Sequence, residues 1–449
     1  MDEELLTQDP PGDSRGEARY ALLATLAGAA AGLLGSIFHL FINRLSDWPR
    51  WLEQVAQGWT LVGAAAGVTL VCTLVSVVLV RRCAPEAGGS GVQEIEGAME
   101  GLRVVRWRRV LPVKFFAGVT AISSGLVLGR EGPTIHIGAS AAAAVAETFR
   151  VDELERRGLL ASGAAAGLAC AFNAPLAAVL FIVEETHREF PYTFRTYLGV
   201  VFAAIASTIV TQLVVGTGPA LPLPAESAPL HLLPAFLLLG VVLGVIGTML
   251  NGAILWALDF AARSHKRAPY VYPAVIGLAT GALVILLPQA VHGGDGVILE
   301  LGATNPGLAL LLSLAVIRFL TTVGSYSSGV PGGIFAPMLA LAVCVGLAFG
   351  EGARILLPDA GFVPLAFAIA AMGGLFAASV RAPIVGVALT LELTGSYALI
   401  LPVLVTCGVA DLVAQWAGGR PIYSQLLERT LAQAGVRRPA TPSEPVGLA

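Results

Sequence analysis

Apolar residues run along this chain in long, nearly unbroken stretches, without the two-residue alternation of a half-buried strand. Stretches long enough for membrane-spanning helices lie at residues 20–42, 60–80, 109–128, 198–215, 232–262, 270–287, 308–323, 338–349, 363–378 and 400–416. Between them lie shorter apolar stretches rich in Gly, Ala and Pro, at 135–146, 159–170 and 176–183, which fall short of a full span. Helices that stop inside a bilayer are tolerated only where protein or an aqueous path satisfies the freed backbone groups. The pattern therefore predicts an all-α polytopic membrane protein with broken helices, of the channel or transporter kind.

Composition sharpens this. The 449 residues are 56% hydrophobic and only 13% charged, with mean hydropathy +0.78. That charged share is about half the norm for a soluble domain, so most of the surface must face lipid. The formal net charge of −3 excludes a nucleic-acid footprint. Five scattered cysteines, mostly in apolar runs, form no disulfide framework or metal motif. Residues 1–19 are polar and net acidic and read as a cytoplasmic tail; residues 436–449 read as a short cytoplasmic tail with no soluble domain beyond it. Arg81, Arg82, Arg103, Arg106, Arg108, Arg109 and Lys114 gather around one loop, which the positive-inside rule places in the cytoplasm.

The chain also repeats itself. Residues 113–133 set against 317–337 match at seven of 21 positions without a gap, including Ser123-Ser124-Gly125 with Ser327-Ser328-Gly329. Gly88 to Val92 meets Gly293 to Val297, and Ala174-Pro175 meets Ala382-Pro383. In the register of that last match, Glu184 meets Glu392. The reading is a tandem duplication, residues 20–216 and 232–435, within one transmembrane domain spanning 20–435. Repeats on this scale are a mark of secondary transporters, whose sites lie where broken helices aim their N-termini at an anion.

Three glycine-rich breaks carry the chemistry: Gly89-Ser90-Gly91-Val92-Gln93, Gly129-Arg130-Glu131-Gly132-Pro133 and Gly333-Ile334-Phe335-Ala336-Pro337. Each sits beside a predicted helix N-terminus, where free N–H groups and the positive helix end favour an anion. Glycine lets the backbone approach an ion closely, and Ser90 adds a hydroxyl donor. No carboxylate cluster of the Na⁺ or Ca²⁺ kind competes with this reading. A lone ionisable group such as Glu131 in a membrane segment marks a function. Among helix N-termini its carboxylate mimics an anion and competes with one, and protonation frees the site.

The three breaks in this order resemble the signature motifs of the CLC family of chloride channels and proton-coupled chloride antiporters. Ala174-Pro175 leading into Phe181-Ile182-Val183-Glu184-Glu185, and the late Gly418-Gly419-Arg420-Pro421-Ile422-Tyr423-Ser424, also match. The resemblance implies a fold of two inverted repeats, a homodimer with one pore per subunit, and a bacterial inner membrane location with both termini cytoplasmic. It implies no cofactor; chloride and protons are the transported ions. Ser90 resembles the serine, and Tyr423 the tyrosine, that coordinate a central chloride. The N–H groups of Ile334 and Phe335 resemble its remaining ligands, and Gly129, Arg130 and Gly132 belong to the anion-binding break around Glu131. Glu131 resembles the external gate and proton carrier, and Glu185 the internal proton-transfer group, with Glu96 as a second carboxylate nearby.

The duplication supplies an independent check. Glu131 faces Phe335, Ser90 faces Asp295 and Glu185 faces Leu393, so the residues with implied roles fall where the halves differ. Glu184 and Glu392, kept in both halves, read as structural. One position departs from the family pattern: Gln93 stands where proline is usual, keeping an N–H near the ion path. His136 reads as a packed histidine. The function expected is a chloride/proton antiporter; the alternative is a passive, proton-gated chloride channel, which often lacks an acid at the position of Glu185. No Ser/His/Asp grouping, metal motif or cofactor loop supports an intramembrane enzyme.

Overall fold

The computed structural model describes residues 14–186, 193–223, 225, 227–304 and 306–436. Most of the N-terminal tail, all but the first residue of the C-terminal one, and His187, Arg188 and Glu189 beside Glu185 lie outside the described residues. The first half holds α1 (Ser14–Ser46), α2 (Trp48–Leu52), α3 (Gly58–Cys83), α4 (Val92–Met99), α5 (Trp107–Ser123), α6 (Glu131–Thr148), α7 (Glu153–Phe172), α8 (Pro175–Thr186) and α9 (Phe194–Val215). The second holds α10 (Leu233–Arg267), α11 (Val271–Leu286), α12 (Asp295–Thr304), α13 (Leu308–Ser327), α14 (Phe335–Leu356), α15 (Pro364–Val380), α16 (Pro383–Thr394), α17 (Ile400–Trp416) and α18 (Ile422–Ala434). The described residues form no strand; two isolated backbone bridges join the halves.

Seven helical stretches among the described residues are long and apolar enough to cross a membrane. At 1.5 Å per residue, the 35 residues of α10 run to about 50 Å, so this helix crosses a 30 Å core only when tilted or projecting. Three stretches expected to span, 109–128, 270–287 and 363–378, form helices of only 17, 16 and 17 residues. Conversely, α6 and α7 reach 18 and 20 residues, longer than their apolar runs. Polar residues complete them: Glu131, Thr134 and His136 in α6, and the Asp152-capped acidic first turn of α7. α4, at eight residues, begins deep in the protein at the buried Ser90 and Gly91 and ends beside the exposed Gly101.

Small residues let α6 lie on α7 and α14 on α15, and these four helices are largely buried. α1 packs on α9, α10 on α17, and α3 on α11. Large apolar side chains on the outside, such as Leu213, Met249, Trp256 and Leu320, are exposed and suit lipid rather than water.

Two local devices recur. Lys114 is fully buried and its Nζ donates to the carbonyls of Ala87 (3.1 Å) and Gly89 (2.8 Å). Its counterpart Arg318, also buried, donates to the carbonyls of Gln289 (2.8 Å) and Val291 (3.0 Å). Each cation satisfies the loop entering a short helix. Lys114 is thus no part of a cytoplasmic surface cluster, and the basic count there rests on the arginines. The second device joins α8 to α16. Glu184 accepts from the N–H groups of Ile384 (3.3 Å) and Val385 (2.9 Å), at the start of α16. Glu392 accepts from Leu176 (3.1 Å) and Ala177 (2.7 Å), at the start of α8. Each carboxylate supplies the acceptors that the other helix's first turn lacks.

Candidate functional site

Backbone pairing brings the three glycine breaks together. Gly129 and Gly333 exchange N–H···O bonds of 2.8 and 2.7 Å, which sets the N-termini of α6 and α14 face to face. Gly89 donates to Val330 at 3.0 Å and receives from Gly332 at 3.1 Å, holding the Ser90 loop against the same junction. Gly91, at φ +93°, occupies the left-handed region and turns the chain into α4. A Cβ on Gly132 would run into Ser90 Oγ, so glycine is what allows Ser90 to reach the first turn of α6.

Glu131 is completely buried at this junction. Its Oε1 accepts the N–H of Ala336 in the first turn of α14, and its Oε2 has no protein hydrogen-bond partner. The carboxylate lies at the N-terminus of a helix from the other half of the chain, where the helix dipole favours negative charge. It does not depend on its neighbour for charge balance: Arg130 pairs instead with Asp295, Nη1 to Oδ2 at 3.2 Å. The N–H of Gly129 is committed to Gly333, so what Gly129 brings to the break is room, since a Cβ there would collide with the Glu131 carboxylate. The N–H groups of Ile334 and Phe335, entering α14, have no backbone acceptor.

Close to Glu131 and Gly132 lie Ser90 and Tyr423, both buried. The Tyr423 hydroxyl approaches Ser90, yet Ser90 Oγ has no partner with hydrogen-bond geometry. An aromatic box surrounds them: Phe335 packs on Tyr423 and Phe181 with ring centroids 5.6 Å away in each case, and on Phe376 at 4.9 Å. Such a box excludes water, and the hydroxyls and N–H groups turned into it suit a weakly hydrated anion.

Glu185 and Glu96 line one small cavity of about 10 Å³ with Phe181, Ile182 and Ile135. The two residues therefore border one cavity beside Phe181. His136 is buried and lies one turn beyond Gly132, packed against Gly91 rather than facing Glu131. Gln93, in the first turn of α4, borders an open cavity of about 550 Å³ with Glu86, Glu94, Arg103, Arg106 and Arg109. A second cavity, of about 560 Å³, opens on the Glu131 side and reaches Gly129, Arg130, Asp295 and Ala336. The site thus lies between two mouths. What sequence reasoning missed is the Arg130–Asp295 pair. Its one signal was that Asp295 stands where the first half has Ser90.

The family described as voltage gated chloride channel matches residues 72–415. The chain is 44% identical over 438 residues to the H(+)/Cl(-) exchange transporter ClcA of Vibrio parahaemolyticus, covering 96% of this chain and 94% of that one. To the H(+)/Cl(-) exchange transporter ClcA of Salmonella paratyphi B it is 43% identical over 427 residues, covering 93% and 90%. The crystal structure of a slow cyanobacterial Cl⁻/H⁺ antiporter superposes with TM-score 0.89 at 36% identity, over 93% of this chain and 99% of that one. A CLC-type fluoride/proton antiporter superposes with TM-score 0.72 over 90% of this chain and 97% of its own, but at 20% identity, a likeness of fold alone.

Proposed function

The chain belongs to the voltage-gated chloride channel family, the CLC proteins, and from that membership we propose a secondary active antiporter that exchanges chloride for protons, with Glu131 as its protonatable gate. It is an integral, multi-span membrane protein.

The observation that carries the gate is the place of the Glu131 carboxylate, buried where the N-termini of α6 and α14 meet and bonded to Ala336 N–H. Ionised, it fills an anion position; protonated, it loses its attraction to the helix ends and leaves, and chloride enters. Chloride passing inward then meets Ser90, Tyr423 and the N–H groups of Ile334 and Phe335. Arg130 and Gly132 shape the first turn of α6 around the gate. Protons take a separate inner route through Glu185, with Glu96 beside it, and both routes share Glu131. Two routes joined at one titratable group couple the ions, because that group cannot hold a proton and exclude chloride as a carboxylate at the same time.

On this reading the arginine-rich mouth faces the cytoplasm, the Glu131 mouth faces outward and both termini are cytoplasmic; similarity to bacterial relatives supports a bacterial inner membrane. The protein works as a homodimer with one pore per subunit, each a tandem pair of repeats covering residues 20–216 and 232–435. The deciding experiment reconstitutes the full chain in liposomes with a chloride gradient and no initial pH gradient. Uphill proton movement, lost in Glu131→Gln and Glu185→Gln, is expected. Chloride flux with no proton movement would instead identify a channel.

A further inference from the structure

The guanidinium next in sequence to the gate is held from across the molecule. Arg130 Nη1 lies 3.2 Å from Asp295 Oδ2, and Arg130 Nε donates to the Ala171 carbonyl at 3.2 Å. Asp295 is the first residue of α12, in the other half of the chain. Arg130 is largely buried, its side chain 14% exposed, whereas Asp295 is 40% exposed to the mouth. Arg130 also forms a wall between two cavities. One is the mouth itself, of about 560 Å³. The other, of about 270 Å³, lies behind it and is lined by Ser36, His39, Cys170 and Thr211. Unpaired, this permanent cation would sit one residue from the gate, on the path of every anion entering from this side.

We propose that Asp295 is a positioning residue that sets how tightly the outer site holds anions, chloride and the Glu131 carboxylate alike, by neutralising and anchoring Arg130. The proposal rests on Glu131 gating an anion route. Its physical basis is a balance of charge. A site that must release chloride and its own carboxylate in turn works only if neither is held too firmly. Helix N-termini already attract both, and an uncompensated guanidinium in a partly desolvated wall adds a further attraction of long range. Asp295 cancels that attraction at 3.2 Å and, through the pair, stops Arg130 from swinging into the mouth. The role fits the broken symmetry of the halves: at the position where the first half offers chloride a hydroxyl, the second supplies a counter-charge.

The test uses excised patches from cells expressing the full chain, with chloride varied on one face at a time. Asp295→Asn removes the charge while keeping a side chain that serves equally well at a helix start. Made together with Glu131→Gln, so that no carboxylate competes for the site, it is expected to lower the half-saturating chloride on the Glu131 face by roughly three- to tenfold relative to Glu131→Gln alone and to leave the opposite face within about twofold. The shift should shrink as ionic strength is raised with an impermeant salt. Asp295→Glu, which keeps the charge, should behave as wild type. Should Asp295→Asn fail to reach the membrane, Asp295→Ser carries the same expectation. An unchanged value on the Glu131 face, or equal shifts on both faces, overturns the proposal. Absence of chloride flux from the wild-type protein would overturn the transporter reading instead.

Discussion

The two mouths of this protein differ in charge although they serve one ion path. The mouth by the arginine-rich loop is lined by three arginines, Arg103, Arg106 and Arg109, against Glu86 and Glu94, a net charge of +1. Its pairs are tight: Arg103 grips Glu94 through Nε and Nη2 at 2.9 and 3.0 Å, and Arg109 meets Glu86 at 2.6 Å. The charge of Arg106 is left over. The mouth by Glu131 is lined by Arg50 and Arg130 against Asp47, Glu53, Asp295 and Glu300, a net charge of −2. There both arginines are paired, Arg50 with Asp47 at 3.5 Å and Arg130 with Asp295, and the surplus is acid. A positive vestibule concentrates chloride before it binds. A negative one concentrates protons and leaves anion binding to fixed backbone donors. On the proposed mechanism, the gate that must be protonated stands at the mouth that gathers protons.

The largest way to break this comparison is to change the gate's protonation. Acidifying the Glu131 side from about pH 7.5 to pH 4.5, toward the ordinary carboxylate range, should raise chloride flux roughly tenfold. The sign follows from the acid form being neutral and leaving the anion position. Glu131→Gln should flatten that profile, and flux assayed at each pH on one face checks it. Next in size is the basic mouth. Arg106→Glu turns its net charge negative and should raise half-saturating chloride on that face about three- to fivefold, an effect that fades in high salt. Smaller still, Glu53→Gln in the acidic mouth should change half-saturating chloride on its face by less than about twofold, because Glu53 is exposed and screened. The smallest effect is expected at Gln93. Its N–H lies in the first turn of α4, where proline is tolerated, so Gln93→Pro should move the thermal unfolding midpoint by no more than about 2 °C.

The glycine breaks and Glu131 were legible because one charge in an apolar, glycine-rich stretch is an anomaly that needs no partner to be noticed. The acidic mouth was not. Asp47, Glu53, Asp295 and Glu300 come from segments far apart in the chain, and local periodicity cannot say which distant ends meet. Lys114 misled for a related reason: it follows a run of arginines, and only the fold turns it inward onto Ala87 and Gly89. Helix lengths drifted from the apolar runs where polar first turns extend them, buried in α6 and exposed but capped by Asp152 in α7. The pairing of Gly129 with Gly333, 204 residues away, was hidden from local sequence for the same reason as the acidic mouth.

Glu184 and Glu392 showed in the sequence as a matched pair, but not as reciprocal acceptors. Their consequence is mechanical. Transporters that rock one half of the chain over the other need a seam that slides. Here the seam between α8 and α16 is pinned from both sides, because each helix holds the other's first turn. Any shear along it must break contacts to Leu176, Ala177, Ile384 and Val385 together, exposing two carboxylates and two helix ends at once. The two repeats are thereby tied to each other at both ends of this seam, which resists sliding along it.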